Sequence, residues 1–229
     1  MEKRKVAIFD IDGTIFRSSL LVEVTDALIQ EGLFPASARR RYAREFRRWS
    51  ERRGTYHDYI EAVIEAFGHY IMKVPPDAFR RVARRAVAFH KNRVYRYTRD
   101  MLRDLKRRGY FLLAITHSPK IIADMFCKQF GFNKVYGRLL EIDARGRFTG
   151  RSLNRELIDD KSKILLRAAE REGLTLRGSV GVGDTEGDIS FLKLVEKPIC
   201  FNPNEPLYTH AKRVGWSIVV ERKDVIYRM

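Results

Sequence analysis

Cysteine is scarce in this chain, and long apolar runs are missing from it. The two cysteines, Cys127 and Cys200, are too few for a disulfide framework or a four-cysteine zinc site. Both lie in apolar stretches, so we expect them to be buried thiols. No apolar run approaches the roughly 18 residues that a membrane span needs. The first apolar stretch breaks at Asp10, earlier than a signal peptide allows. These absences favour a soluble protein of the reducing cytoplasm.

Acidic residues are outnumbered, since 29 Asp and Glu stand against 45 Lys and Arg and give a net charge of +16. This balance excludes an acidic solvating protein and suggests anionic partners, such as phosphorylated metabolites, nucleic acid or a membrane surface. Residues 17–93 carry 16 basic and 9 acidic side chains, mostly on helical patterns. We interpret the arginines there as a solvated surface. A nucleic-acid footprint is the alternative, although zinc-finger spacing and RRM-like aromatic motifs are missing.

The length fits one core domain that carries an insertion, because 229 residues are many for one small domain and few for two. Residues 17–95 have helical periodicity without a convincing strand and predict a compact helical cap. Residues 1–16 and 96–229 predict the core domain. Strands and helices alternate in the core, which predicts an α/β fold with a Rossmann-like parallel sheet and helices on both faces. The cap is inserted after the first strand of that sheet.

Short apolar runs bounded by Gly, Asp or turn residues predict the strands. The predicted strands cover 5–9, 110–116, 134–142, 147–152, 179–183, 198–201 and 216–220. We expect 134–142 and 147–152 to pair as a hairpin, and 216–220 to be the last strand. The predicted helices of the core cover 97–108, 119–130, 160–172 and 186–195.

Polar residues follow the predicted strands at their carboxyl ends, where ligands bind in parallel sheets. Asp10 and Asp12 follow the first strand, Thr116 follows another, and Asp184 and Asp188 follow a third. Carboxylates gathered in one volume repel each other unless a divalent cation is present, and an oxygen-only ligand set favours Mg²⁺. Such a site suits phosphoryl chemistry. One carboxylate can attack phosphorus to form an aspartyl-phosphate, and a second can shuttle the proton.

Four motifs resemble, in residue content and in order, those of the haloacid dehalogenase (HAD) superfamily. They are DIDGT at 10–14, Thr116, Lys161 and GDTEGD at 183–188. The helical insertion is similar to the cap of the phosphoserine-phosphatase-like branch, as are the stretches YGRLLEIDARGRFTG (136–150) and CFNPNEPL (200–207). The resemblance covers the whole chain. It implies a HAD fold and a Mg²⁺-dependent phosphatase that hydrolyses a small phosphomonoester through an aspartyl-phosphate.

The resemblance also implies a role for each position. Asp10 would be the nucleophile, and Asp12 would act first as general acid and then as general base. Thr116 would hydrogen-bond the transferring phosphoryl group, and Lys161 would neutralise the phospho-aspartate. Lys163 is the neighbouring alternative, but the spacing from Lys161 to the following Ile-Leu pair matches the family pattern better. The implied ligands of Mg²⁺ are Asp10, Asp12 (through its backbone carbonyl), Asp184 and, from the inner or outer shell, Asp188.

Recognition of serine looks altered, although the catalytic set looks intact. The family branch has Ser-Gly-Gly at the second motif, where this chain has Thr116 followed by His117, Ser118 and Pro119. The glutamate expected nine residues beyond the nucleophile is Ser19 here. Glu23 is near it, but lies one helical turn further. These departures argue against phosphoserine as the substrate.

Several alternatives stay open. His117 is interpreted as packing at the strand end, with a contact to substrate as the alternative. The cap aromatics, Trp49, Tyr56, Tyr59 and Phe67, are interpreted as a core of the cap. Phosphoryl transfer to a second hydroxyl group is the first alternative to hydrolysis. Nucleic-acid binding through the basic cap is the second.

Overall fold

A mostly parallel sheet forms the centre of the fold. The computed structural model describes residues 3–153 and 155–229. Within these residues a seven-stranded sheet has the order β3-β2-β1-β6-β7-β8-β9, and only the β8–β9 pair is antiparallel. Strands β4 and β5 form a separate antiparallel hairpin. The strands are β1 (Arg4–Asp10), β2 (Phe111–Pro119), β3 (Lys134–Arg138), β4 (Leu140–Ile142), β5 (Phe148–Ser152), β6 (Leu174–Gly183), β7 (Lys197–Phe201), β8 (Ser217–Arg222) and β9 (Val225–Arg228).

Helices cover both faces of this sheet. Alternate residues of β1 pack against opposite faces of the sheet, because successive side chains along a strand point to opposite sides. Ala7 and Phe9 pack with the cap and α5, whereas Val6 and Ile8 pack with α8 to α10. None of the helices that the structure describes is long and apolar enough to cross a membrane. The helices are α1 (Leu20–Gln30), α2 (Ala43–Ser50), α3 (Tyr56–Ile71), α4 (Pro76–His90), α5 (Arg96–Arg107), α6 (Lys120–Cys127), α7 (Arg155–Asp159), α8 (Lys161–Arg171), α9 (Ile189–Leu192) and α10 (Glu205–Val214).

The helical cap, α1 to α4, is inserted between β1 and α5. The two connecting segments run side by side. The Arg17 N–H donates to the Arg93 carbonyl at 2.9 Å, and the Tyr95 N–H donates to the Ile15 carbonyl at 3.0 Å. The cap shares one apolar cluster with its face of the sheet, so it is packed onto the core and not merely tethered to it. The limits of the two domains, 17 and 95, stay a prediction.

The predicted pairing of 134–142 with 147–152 is wrong in its first half. Residues 134–138 form β3, which pairs in parallel with β2 at the edge of the main sheet. Only Leu140–Ile142 pairs with Phe148–Ser152. The physical reason is that α6 returns the chain to the free edge of β2. Extended residues 134–138 can therefore satisfy their backbone groups there before the hairpin begins.

Further elements differ from the prediction, among them β6, β9 and α10. Strand β6 begins at Leu174, five residues early, and the pairing of β1 with β6 shifts between Lys5 and Ala7. Strand β9 follows β8 through a turn in which Lys223 has a φ of +55°, so 216–220 is not the last strand. Helix α10 is absent from the predicted elements. It follows Asn204, whose side chain accepts the Leu207 N–H. Strand β9 (VIYR) has only four residues and three of them are exposed, so its short apolar run gave a weak signal in the sequence.

Candidate active site

Three neighbouring strands end together and place the candidate residues at one edge of the sheet. Asp10, the last residue of β1, is in register with Ile115 of β2, and Phe9 is in register with Val182 of β6. Residues that follow these partners therefore lie beside Asp10. The structure brings together all six predicted side chains: Asp10, Asp12, Thr116, Lys161, Asp184 and Asp188.

Gly13 allows the loop after β1 to approach the end of β6. Its φ is +79°, a conformation that glycine adopts without strain. A Cβ atom at this position would lie 2.1 Å from Asp184 Oδ2. On the neighbouring residue, the Thr14 hydroxyl donates to Asp184 Oδ1 at 3.1 Å. The DIDGT motif thus positions Asp184 as well as its own two aspartates.

Lys161 is the cation of the site and is almost fully buried, with 1% of its surface exposed. Its Nζ lies 2.6 Å from Asp10 Oδ1 and 2.5 Å from Asp188 Oδ1. Lys161 is the first residue of α8, and the Asp160 side chain caps this helix by accepting the Ser162 N–H. Lys163 is exposed and lies 3.8 Å from Asp160. The placement favours Lys161 over Lys163 as the functional lysine.

Burial controls the protonation of this cluster. It raises the pKa of Asp10 well above the ordinary 3.8; Lys161 opposes this, and Asp188 adds to it. Burial also raises the pKa of Asp184, and the negative charges of Asp10 and Asp188 reinforce the effect. Burial alone lowers the pKa of Lys161, but Asp10 and Asp188 outweigh it and the net shift is upward. One ammonium group therefore faces several carboxylates, which must hold protons or share a cation.

Asp12 is held by three hydrogen-bond donors. The hydroxyl groups of Thr116 and Ser118 donate to Oδ2, the latter at 2.8 Å. The backbone N–H of Leu20, the first residue of α1, donates to Oδ1 at 2.5 Å. Burial nevertheless raises the pKa of Asp12 against these donors. A carboxyl group that is firmly oriented, yet inclined to keep its proton, is suited to general acid–base chemistry.

Oxygen atoms of Asp10, Asp184 and Asp188 lie within 4.8 Å of one another. The carboxylate of Asp188 is already engaged, because Oδ1 accepts from Lys161 and Oδ2 accepts the N–H groups of Asp184, at 2.9 Å, and Thr185, at 3.1 Å. The buried, oxygen-only donor set fits a hard divalent cation such as Mg²⁺. Asp10 and Asp184 are the best placed ligands, with Asp188 behind them. The carboxylate of Asp12 points to other donors, so only its backbone carbonyl stays a predicted ligand.

A cavity of about 460 Å³ lies between the cap and this edge of the sheet. The core contributes Asp10, Asp12, Lys161 and Asp184 to its walls, and the cap covers them from α3. A depression of about 530 Å³ runs along β3, but its described lining includes none of the six predicted side chains. The smaller cavity is therefore the candidate active site. Its cap wall consists of Ser19, Leu21, Tyr56, His57, Ile60, Glu61 and Ile64.

His117 and Ser19 lie at the cavity, whereas Glu23 does not. His117 lines the cavity, and burial lowers its pKa to about 3, assisted by the charge of Lys161. It is therefore a neutral imidazole beside the site. Ser19 also lines the cavity and is buried. Glu23 instead forms an ion pair with Arg93 at 2.8 Å, and its carboxylate lies 3.0 Å from His90 Nε2. It does not substitute for the missing glutamate at position 19.

Sequence reasoning missed most of the cap side of the site. Tyr56 was predicted to be core, and its ring does contact Trp49 and Tyr59. It also lines the cavity, and burial raises the pKa of its hydroxyl group, with Asp12 and Asp184 contributing. Glu61 and Arg138 line the cavity as well. The available signal was spacing, because residues 56, 60 and 64 recur on one helical face, but spacing does not tell which face meets the core.

Comparison with known proteins decides the family. A model of the haloacid dehalogenase-like hydrolases matches residues 7–193. The chain belongs to this family. The HAD resemblance and the α/β fold are thereby confirmed, and the match spans the whole cap and all six predicted side chains of the candidate site. This HAD-like hydrolase also has named relatives and structural neighbours.

Two curated relatives are phosphatases. A histidinol-phosphatase of Neisseria meningitidis serogroup C (strain 8013) is 24% identical over 229 residues, which cover 94% of this chain and 98% of the relative. A phosphoserine phosphatase of Archaeoglobus fulgidus is 24% identical over 207 residues, which cover 90% of this chain and 54% of the relative. The chain thus spans about half the length of the second relative. Family and relatives confirm the prediction of a phosphoric monoester hydrolase.

Solved structures share the fold. A protein of unknown function from Bordetella pertussis Tohama I superposes with a TM-score of 0.73 at 22% identity, over 95% of this chain and 98% of that one. A phosphoserine phosphatase, solved as an analogue of the phospho-aspartyl intermediate, superposes with a TM-score of 0.64 at 20% identity, over 97% and 96% of the two chains. The Rossmann-like core with its helical cap is therefore a known arrangement.

Proposed function

We propose that this hydrolase is a Mg²⁺-dependent phosphatase that cleaves a small phosphomonoester through an aspartyl-phosphate on Asp10. The observation that carries the proposal is the cluster at the end of β1. There the Asp10 carboxylate lies 2.6 Å from the Lys161 ammonium group and within 4.8 Å of Asp184 and Asp188 oxygens, on the wall of a capped cavity. A volume of about 460 Å³ suits a small ester better than a polymer.

Asp10 would act as the nucleophile. One carboxylate oxygen attacks phosphorus, and the bond from phosphorus to the ester oxygen breaks as the new bond forms. Lys161 holds Asp10 in place and offsets the negative charge of the group being transferred. Mg²⁺ held by Asp10 and Asp184, with Asp188 behind, would supply positive charge to the phosphoryl oxygens.

Asp12 would move the proton. In the first step its carboxyl group gives a proton to the departing alkoxide, so that an alcohol leaves. In the second step its carboxylate takes a proton from water, whose oxygen attacks phosphorus. Inorganic phosphate is then released and the Asp10 carboxylate is restored. The hydrogen bonds from Thr116, Ser118 and Leu20 fix its direction, and burial supports the protonated form at the start.

The cap favours a small ester over a polymer such as nucleic acid. Its wall covers the site and limits the space beside Asp10. Transfer to an acceptor alcohol would use the same first step and differ only in the second.

The two buried free thiols, Cys127 and Cys200, are compatible with a reducing compartment, and we propose the cytoplasm.

Phosphate release from a panel of small phosphomonoesters tests the proposal. The panel includes phosphoserine and histidinol phosphate, the esters suggested by the names of the relatives, with sugar phosphates and nucleotides. We expect release with Mg²⁺, none after chelation, and a loss of at least about a thousandfold in Asp10→Asn. Asp77→Asn is the matched control, because this cap carboxylate is 92% exposed. Equal turnover with and without Mg²⁺, or full activity of Asp10→Asn, would contradict the proposal.

A further inference from the structure

Helix α1, the first helix of the cap, begins on two side chains of the catalytic core. The first N–H groups of a helix have no partners within the helix. Ser19 precedes α1, but its side chain makes no hydrogen bond to them. The Leu20 N–H instead donates to Asp12 Oδ1 at 2.5 Å. The Leu21 N–H donates to the hydroxyl oxygen of Ser118 at 3.1 Å. The start of α1 is therefore held by the group that we propose moves the proton and by a serine bonded to that group.

Ser118 links α1 to the carboxyl group of Asp12. Its hydroxyl oxygen accepts the Leu21 N–H, and its single proton is donated to Asp12 Oδ2 at 2.8 Å. Ser118 is 1% exposed, so water has little access to either bond. The residue before a proline is restricted to extended conformations, and Pro119 follows in β2. The backbone therefore fixes where this hydroxyl group lies, at a position where the family branch has a glycine.

The donors around Asp12 leave one position for the transferred proton. Each oxygen of a carboxylate has two lone-pair positions. In the part of the chain that the structure describes, the hydroxyl groups of Thr116 and Ser118 take both positions on Oδ2. The Leu20 N–H takes one position on Oδ1. The second position on Oδ1 is left for a proton, and Asp12 lines the cavity.

We propose that Ser118 is a positioning residue, whose hydroxyl group keeps the transferred proton of Asp12 on Oδ1. The first turn of α1 fixes the direction of this hydroxyl group through the Leu21 N–H. Without the hydroxyl group, Oδ2 has an open position, and the proton can be held there instead of being aimed at the departing ester oxygen. Ser118 itself does not touch the reacting atoms. The inference deepens the proposed function and rests on it.

Steady-state kinetics of Ser118→Ala with two aryl esters test the inference. Phenyl phosphate needs a proton on its departing oxygen, whereas 4-nitrophenyl phosphate releases a stable phenolate with little help from an acid. We expect kcat/KM to fall by about tenfold or more for phenyl phosphate and by less than about threefold for 4-nitrophenyl phosphate. A merely structural loss would lower both values alike.

Ser179→Ala is the matched control. The Ser179 hydroxyl group is also buried, donates to the Leu176 carbonyl at 2.5 Å and accepts the Glu196 N–H at 3.1 Å. It lies outside the described lining of the cavity, so this variant should keep the wild-type ratio of the two kcat/KM values. Equal losses on both esters in Ser118→Ala, or no loss on phenyl phosphate, would overturn the inference and leave the proposed function standing.

Amide hydrogen exchange tests the link to α1 without any substrate. In Ser118→Ala the Leu21 N–H loses its acceptor, so its exchange should become about tenfold faster or more, whereas Ser179→Ala should leave it unchanged. An unchanged exchange rate in Ser118→Ala would also overturn the inference. Failure of the folded wild type to release phosphate from any ester would overturn the proposed function together with the inference.

Discussion

The outer face of the cap and the cavity beneath it carry opposite charge. Residues 39–53 include eight arginines and two glutamates, and all eight arginines are exposed. Among the residues that the structure describes, six carboxylates, one lysine and one arginine line the cavity. The net charge of +16 therefore describes the solvent-facing surface and not the reaction site. A function inferred from the total charge alone would have pointed to a polyanion partner.

The two regions also differ in what an ion pair contributes. Arg39 and Asp26 lie 3.2 Å apart, but 51% and 38% of their side chains are exposed. Exposed pairs contribute about 0–1 kcal/mol, because water and salt screen them. Lys161 and Asp10 lie 2.6 Å apart, and only 2% and 6% of their side chains are exposed. Removing one partner of such a pair leaves a buried charge unpaired. A single substitution in the cavity should therefore cost more stability than one on the exposed surface.

Removal of the buried cation should give the largest loss of stability. Lys161→Met leaves Asp10 and Asp188 without the ammonium group that lies 2.6 and 2.5 Å from them. We expect the free energy of unfolding to fall by about 3–5 kcal/mol and phosphate release to fall by about a hundredfold or more. Denaturant unfolding and steady-state kinetics measure the two losses.

The control for this variant is Lys163→Met, which removes an exposed lysine 3.8 Å from Asp160. It should change the free energy of unfolding by about 1 kcal/mol or less. Similar losses in both variants would show that burial does not distinguish the two lysines, and the comparison between cavity and surface would fail.

The stabilisation by Mg²⁺ should depend on pH. Burial raises the pKa of Asp10 and Asp184 above the ordinary 3.8. The metal-free folded state therefore holds protons that the unfolded chain releases, and its stability falls as pH rises above that value. Mg²⁺ binds the ionised carboxylates, so the increase in Tm that it causes should be larger at about pH 8 than at about pH 5.

Thermal unfolding with Mg²⁺ and with a chelator measures this difference. Asp184→Asn should abolish the Mg²⁺-dependent increase in Tm, whereas Asp77→Asn should keep it because that carboxylate is exposed. An increase of the same size at both pH values would argue against a metal held by these buried carboxylates.

Neutralising the outer face should give the smallest effect on catalysis. Arg40, Arg47 and Arg48 are exposed and do not line the cavity. The triple variant with glutamine at these positions should keep kcat/KM within about twofold, because exposed charges are screened. A loss of about tenfold or more would show that this face captures substrate. Tight, salt-sensitive binding of single-stranded RNA, lost in the variant, would instead support the nucleic-acid alternative.

The core of the site could be predicted from the sequence because its residues are tied to strand ends. Asp10, Thr116 and Asp184 each follow a buried apolar run, and parallel strands place such residues together. Lys161 needed the family resemblance, since one lysine at the start of a helix has no distinctive pattern. Its burial and its contact with Asp10 appear only in the structure.

The cap wall and the sheet edges could not be predicted in the same way. Which residues of α3 line the cavity depends on how this helix is rotated against the core, which is a property of packing between elements distant in sequence. Strands β3 and β4 are adjacent in sequence, and the prediction joined them because the division depends on which edge is free to pair. Strand β9 has few buried residues to reveal it. Local sequence patterns predict helices and strands better than they predict which of these elements pack or pair with each other.

Detection of a covalent intermediate would identify the nucleophile. The wild-type enzyme is mixed with its best phosphomonoester and Mg²⁺, quenched in acid within one turnover and mapped by mass spectrometry of its peptides. We expect one added phosphoryl group on Asp10, lost over time as phosphate is released, and none at this position in Asp10→Asn. A phosphoryl group on another residue, or turnover by Asp10→Asn without any covalent species, would contradict this assignment.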